Sequence, residues 1–374
     1  MKKIGHIIRK EFLQLRRDPR MFPILFVSPI IQLILLGYAA NLDIKNIPAV
    51  FCDLDASAAS RDFISQFPHS GYFTLKAVID RMQDVDDYID NGKASLAVII
   101  PRGMGRRLAG QKPVSLQIIV DGAESQSAII ALNYASMIVG KYSRQILLER
   151  LSRAFPRVEL ARVNPQVRVW YNPELRSRNF MIPGILGLLL MVVTSMLTSL
   201  AIVKEKEMGT MEQLIVTPIK PYELILGKLL PFLLIGFIDI VLVLVVTTFW
   251  FRVPVKGSPV LLFGLSLVYM LTTLGLGLLI STISRNQQQA MLISMFFMTP
   301  TMMLSGFIFP IENMPRVIQL FTYLVPLRYY LVIIRGLFLK GVGLAALWPE
   351  TVSLLVLGLV ILGLSVLRFR KKLE

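Results

Sequence analysis

The sequence predicts a polytopic α-helical membrane protein with six transmembrane helices, an external re-entrant helical hairpin, and a mixed α/β extracytoplasmic domain between the first two spans. Three observations carry that prediction. Of the 374 residues, 54% are hydrophobic and only 17% are charged. Apolar runs of about the 20 residues that cross a hydrocarbon core recur at 22–42, 180–203, 224–251, 259–283, 289–309 and 348–367. Between 43 and 178, by contrast, charges and turn residues return, and short β-type runs alternate with helical ones.

The formal charge of +16 gathers at the two ends, in Lys2, Lys3, Arg9, Lys10, Arg16, Arg17 and Arg20, and in Arg368, Arg370, Lys371 and Lys372. Bases flanking the first and last spans belong on the cytoplasmic side, so both termini are expected there and a nucleic-acid partner is not. A single cysteine and two histidines exclude a disulfide framework, a cysteine zinc site and a histidine-rich metal site.

Residues 1–20 read as a cytoplasmic amphipathic interfacial helix, with Ile4, Ile8, Phe12 and Leu15 on one face and bases on the other. Residues 21–42 form the first span. "GYAAN" could serve as a signal-peptidase site, but the apolar run exceeds the roughly 7–15 residues of a signal peptide, so an uncleaved anchor is expected. The external segment 43–178 should hold strands at 47–55, 72–79, 94–101, 114–122 and 166–173 and helices at 57–67, 81–91 and 124–152, the last with Ile129, Leu132, Met137 and Val139 near one face. Asp53, Asp55, Asp121 and Glu124 sit at strand ends and are read as turn formers. Residues 179–374 carry spans two to six, with 204–223 and 284–288 inside and 252–258 and 310–347 outside.

The segment 310–341 contains Pro310, Glu312, Pro315, Pro326, Arg328 and Arg335. Pro326 splits it into two pieces too short to span, which suits a hairpin dipping from the outer face with its arginines snorkelling or paired. A seventh, tilted span is the alternative. "GLGLLISTIS" at 275–284 is explained by close helix packing. Asp239 is the one acid deep in a span, where insertion costs about 2.5–3.5 kcal/mol. It must face a partner, a cavity or another subunit, and a translocation role and a simple inter-helix bond are equally open.

No G-x-x-x-x-G-K-[ST] phosphate loop, H-E-x-x-H or D-x-[DN]-x-[DN]-G pattern occurs, so any energy source is a partner or an ion gradient. One loop is unusually well punctuated: "VKEKEMGTMEQLIVTPIKPYE", 203–223. Thr210 and Gln213 form a capping box, Glu212 suits the first turn, and Pro218 stops the run. The result is a helix of about two turns from Met211, with Met208, Met211, Leu214 and Ile215 on an apolar side and Glu205, Glu207 and Glu212 on an acidic one. Pro221 suits the first residue of the next span. Such a helix fits a groove on another protein, and equally a well-capped interfacial loop.

"EKEMGTMEQLIVTPIKPYELILGK" resembles the cytoplasmic-loop signature of ABC-2 type transporter permeases, the membrane subunits of ATP-driven exporters. The basic lead ending "RRDPR", and the stretches "SGFIFPIENMP" and "LVPLRYYLVIIRGLFLKG", resemble the family's interfacial helix and external re-entrant region. The large segment after span one is similar to the drug-resistance-type branch. The resemblance covers effectively the whole chain. It implies that 204–220 is a coupling helix docking into a cytoplasmic ATPase, a role carried onto Glu205, Glu207, Gly209, Thr210, Glu212, Gln213 and Leu214. It also implies a second permease, identical or a sister chain, and ATP and Mg bound by the partner ATPase rather than by this chain. The expected cargo is a small amphipathic, drug-like or lipid-like molecule, the expected location a bacterial inner membrane, and a periplasmic adaptor stays open. Two other classes compete: an ion-coupled secondary transporter working through Asp239, and a membrane-anchored sensor or scaffold using the external domain.

Overall fold

The computed structural model describes residues 2–19, 22–39, 46–154, 168–174, 176–209 and 221–370. The chain divides into two compact units, Leu42–Gln166 and the remainder, Met1–Asn41 with Val167–Glu374.

The smaller unit is a four-stranded sheet with helices. Its strands are β1 (Ile47–Asp53), β2 (Phe73–Ile79), β3 (Leu96–Ile100) and β4 (Gln117–Val120), in the order β2-β1-β3-β4. β1 pairs in parallel with β2 and β3, whereas β3 and β4 are antiparallel. The helices α3 (Ala58–His69) and α4 (Gln83–Asp90) make the crossovers that parallel pairing requires. "IPAVFCD" is apolar almost throughout because both faces of β1 are covered. Ala49 and Phe51 meet Phe63, Phe67 and Ala135 on one side, and Val50 and Cys52 meet Val85 on the other.

The strand-end acids do local work. Asp53 accepts bonds from Ala56 N at 2.9 Å and Ser60 Oγ at 2.7 Å, next to the reciprocal Ser57–Ser60 capping box of α3. Asp55 accepts Gly103 N at 2.7 Å and Gly105 N at 2.9 Å, fixing the entry to α5 (Met104–Ala109), a helix the sequence pattern does not announce. Asp121 accepts Ala123 N at 2.9 Å and Glu124 accepts Ser127 Oγ at 2.9 Å.

Two expectations for this region are corrected. Residues 168–174 are not a strand: the Asn172 side chain accepts from Asn179 Nδ2 at 2.8 Å and donates to Arg176 O at 3.0 Å, building a turn instead. In α6 (Ser125–Ala154), Ile129, Leu132 and Met137 are exposed, while Ala131, Ala135 and Ile138 face the core. Small residues let this helix lie close to the sheet, which a search for large apolar side chains overlooks.

In the larger unit, α1 (Lys2–Arg17) precedes a π-helical turn, Pro23–Val27, and α2 (Ser28–Ala39). The remaining helices are α7 (Ser177–Glu207), α8 (Pro221–Val245, prolonged by a π turn to Trp250), α9 (Pro259–Ile283), α10 (Gln287–Leu304), α11 (Arg316–Thr322), α12 (Pro326–Arg335, prolonged to Lys340) and α13 (Leu344–Arg370). Pro221 opens α8, as its fixed φ and missing N–H favour.

Four of the six expected spans are helices long and apolar enough to cross a membrane: Ser177–Glu207, Tyr222–Trp250, Pro259–Ile283 and Leu344–Arg368. The first apolar run gives a shorter apolar helix, Leu25–Ala39. The fifth, α10, opens on three glutamines and carries Thr299, Pro300 and Thr301, which dilute its apolarity. The segment expected to be a hairpin is a pair, α11 and α12, bent by 79°; counted as one broken span it brings the total among the described residues to five.

Helix α9 packs against α7 and α13, and "GLGLLISTIS" does serve close approach. A Cβ at Gly277 would collide with the backbone oxygen of Ser195 on α7, and one at Gly275 would lie 2.9 Å from Leu362 on α13. Tyr269 on α9 stacks on Tyr330 of α12 with ring centroids 4.0 Å apart. Their hydroxyls are satisfied by Gly187 O at 3.1 Å and Ser266 Oγ at 2.7 Å, which removes the cost of burying them.

Candidate functional site: the ionic end of the helical unit

The two ends of the larger unit differ in chemistry. One is aromatic and basic. Trp250 Nε1 donates to Tyr38 Oη at 3.2 Å, Lys256 reaches Tyr171 O at 3.4 Å, and Trp170, Trp250 and Trp348 are all exposed. The other end is ionic and is organised by the last turn of α7.

That turn reads Lys204-Glu205-Lys206-Glu207. Successive helical residues point about 100° apart, so four in a row point around the whole helix. Each therefore meets a different neighbour. Lys204 pairs with Asp18, just past α1, at 3.6 Å. Glu205 is 3% exposed and bridges Lys10 of α1 and Lys228 of α8. Lys206 Nζ donates to Ser281 O at 3.0 Å and Ser284 O at 3.3 Å, capping the C-terminus of α9. Glu207 accepts Gln287 N at 2.9 Å, at the N-terminus of α10, where a carboxylate complements the helix dipole. Burial leaves few alternatives, because Lys228 is only 2% exposed and an uncompensated charge there is costly.

A second acid joins this cluster. Glu11 of α1 is 5% exposed, with its Oε1 3.8 Å from Lys228 and 3.9 Å from Lys10. Burial pushes its carboxyl above the usual range, against the pull of Lys228, and the Glu205 charge adds to the rise. A recess of about 450 Å³ opens beside the cluster, lined by Glu11, Asp18, Glu205, Leu197 and Phe232 among others. Gly209 follows the turn at φ +66°, a left-handed stop that glycine tolerates at helix ends.

Of the residues expected to engage a partner, Glu205 thus faces inward, Glu207 caps α10, and Gly209 ends α7. Thr210, Glu212, Gln213 and Leu214, with Pro218, lie outside the described residues. Glu11, Asp18 and Gln287 were not singled out in the sequence, while Lys10 stood out only as one of the terminal bases and Lys228 only as a base within an apolar run.

Asp239 lies within α8, 2% exposed, and neither carboxylate oxygen has a hydrogen-bond partner among the described residues. Around the bent pair, Pro310 and Glu312 belong to a tight turn at Ile311–Asn313, Pro315 precedes α11, and Pro326 begins α12. The arginines there are held by rings. Arg328 bonds Thr322 and lies 3.8 Å over Tyr323, and Arg335 lies 3.6 Å over Phe180 and donates to Gly306 O at 3.4 Å.

No metal-binding group of His, Cys, Asp or Glu occurs among the described residues. The arrangement ties the last turn of α7 to α1, α8, α9 and α10 through charged side chains. Helices long and apolar enough to span a membrane are tied, at one end, to an amphipathic lead helix and to the start of a loop. That is the layout of a multi-pass membrane protein. Residues 19–367 match the sequence profile of the ABC-2 family transporter proteins, and the chain belongs to that family. Permeases of this family are membrane subunits whose ATPase resides in a partner chain and which act as dimers of permeases.

Among its relatives, the probable multidrug ABC transporter permease YbhR of Escherichia coli is 32% identical over 99% of both chains. The probable multidrug ABC transporter permease YbhS of the same organism is 32% identical over 100% of this chain and 98% of its own length. The linearmycin resistance permease protein LnrN of Bacillus subtilis is 21% identical over 88% of this chain and 89% of its own.

Proposed function

We propose that this permease couples ATP hydrolysis by a separate cytoplasmic ATPase to export of a small amphipathic, drug-like or lipid-like molecule, and that residues 204–220 are the segment the ATPase moves. The observation that carries this reading is the α7 quartet, in which four consecutive charges fasten α7 to α1, α8, α9 and α10 immediately before that segment. A displacement of the loop is then delivered to several helices at once. Glu205 and Glu207 are positioning residues in this scheme, and Thr210, Glu212, Gln213 and Leu214 supply the contact. ATP and Mg stay with the partner.

The finer topology belongs to the same proposal. Six spans, including the α2 and α10 runs, leave both termini cytoplasmic in a bacterial inner membrane, with the α/β unit and the bent α11–α12 pair on the outer side. The basic termini support that orientation, and the exposed Trp and Tyr of the aromatic end suit a membrane–water interface. The names of the relatives support a drug-like cargo. The second permease is an identical copy or a sister chain, and an external adaptor would engage the α/β unit.

The test is reconstitution with the ATPase and a Glu212→Lys variant, which changes a loop residue and leaves Lys10, Glu11, Glu205 and Lys228 in place. Insertion and assembly should persist while transport and its coupled ATPase activity fall away. Normal export by the variant would overturn the docking role.

A further inference from the structure

Within the α/β unit a cavity of about 570 Å³ opens between the sheet, α5 and α6. Its walls are apolar, formed by Phe63, Leu116, Ile118 and Val139 among others. Among the described residues, Lys112 and Arg150 are the charged side chains that line it, and no carboxylate does. Size and lining are those of a site for a drug-sized ligand, with a few polar groups to orient it.

The basic groups are placed rather than scattered. Arg150 of α6 donates one guanidinium N–H to Leu108 O, which anchors the group at the end of α5 and leaves further donors of its five. Lys112 follows α5, its own N–H held by Arg107 O at 2.8 Å, and its side chain makes no ion pair among the described residues. Tyr142, which also lines the cavity, donates to Ala59 O at 3.3 Å. Burial, ahead of the nearby Asp62 charge, pushes its hydroxyl up to about 12, so it adds no negative charge.

We infer that this cavity binds an amphipathic anion, with an aliphatic or aromatic body against Phe63, Leu116, Ile118 and Val139 and an acidic head at Lys112 and Arg150. A cation of the same shape would meet two like charges in the lining, whereas the nearby carboxylates Asp62 and Glu149 are not among the described residues that line it. The site lies wholly inside the α/β unit and does not depend on the coupling role of 204–220.

The single native cysteine, Cys52, is 0% exposed, which leaves an introduced thiol as the one reactive group. Ser143, which lines the cavity, is replaced in the full chain by the near-isosteric Ser143→Cys, and Thr74→Cys on exposed β2 is the control. Maleimide labelling is timed in phosphatidylcholine nanodiscs with dodecanoate or dodecyltrimethylammonium. Dodecanoate should slow labelling of Ser143→Cys and not of Thr74→Cys, and the cation should slow neither. Adding Lys112→Glu, at an exposed position where folding is not at stake, should raise the half-protecting dodecanoate concentration about tenfold, the weight of one charge-assisted bond. Equal protection by both amphiphiles, protection by neither, or an unchanged dodecanoate response in Lys112→Glu would overturn the assignment.

Discussion

Replacing Glu205 by Gln tests the joint at the base of α7 directly. The substitution keeps the side chain's shape and removes the charge between Lys10 and Lys228. Breaking a buried ion pair from one side costs about 3–5 kcal/mol, because the remaining charge is stranded. Here Glu11 stays 3.8 Å from Lys228. At that separation an opposite charge is worth about 4 kcal/mol at an effective dielectric of about 20, so the stranding is partly relieved. The expected loss is therefore at the lower end, about 3 kcal/mol, or about 6–12 °C in the unfolding midpoint of a unit of this size. The assay is thermal unfolding in mild detergent, read by the soluble fraction on size exclusion. The double variant Glu205→Gln with Lys228→Met removes both members and should recover most of the loss, since apolar groups replace buried pairs at little cost. A single variant as stable as the parent, or a double variant no better than the single, would refute a buried pair that clamps α8 to α7.

Two further outcomes follow from buried or capped acids. Asp239→Leu removes a carboxyl with no hydrogen-bond partner among the described residues. It should raise stability by about 1–3 kcal/mol in the same thermal assay, and a lowered midpoint would refute an unpaired carboxyl there. The carboxyl of Asp55 is held below its usual 3.8 chiefly by the Ser57 hydroxyl, then by the N–H groups of Gly105 and Gly103. Below 3.8 the unfolded chain takes up a proton more readily than the folded one, so this contribution is complete above that pH and is lost as pH falls through the lowered folded value. Asp55→Asn should cost about 1 kcal/mol at neutral pH and little in strong acid, read from exposure of Cys52 to dithiodipyridine, a reagent that works at low pH. An equal difference at both pH values would remove Asp55 from the account.

Strand β1 was legible because a strand buried on both faces needs an unbroken apolar run, and the Pro259–Ile283 span because nothing charged interrupts it. Residues 168–173 show where pattern reading stops. Their alternation suits a strand, yet strand formation needs a neighbouring edge, and Asn172 ties the chain into a turn leading to α7 instead. The helix expected at 124–152 is present as α6, but its buried face was missed for a related reason, since what buries Ala131 and Ala135 is the closeness of the sheet rather than their own apolarity.

The sequence by itself determined the class of the protein, the places of its long apolar helices and the absence of a phosphate loop, because composition, run length and motif spacing are local properties of the chain. It also marked 203–223 as special, through its charges, cap and prolines. The direction each charge takes was decided only by the tertiary structure. Glu205 and Glu207 are two residues apart and look equivalent in a string, yet one is sealed against lysines 195 and 23 positions away and the other caps a helix 80 positions on. Such partners are set by how helices pack side by side, and that proximity carries no signature along the chain.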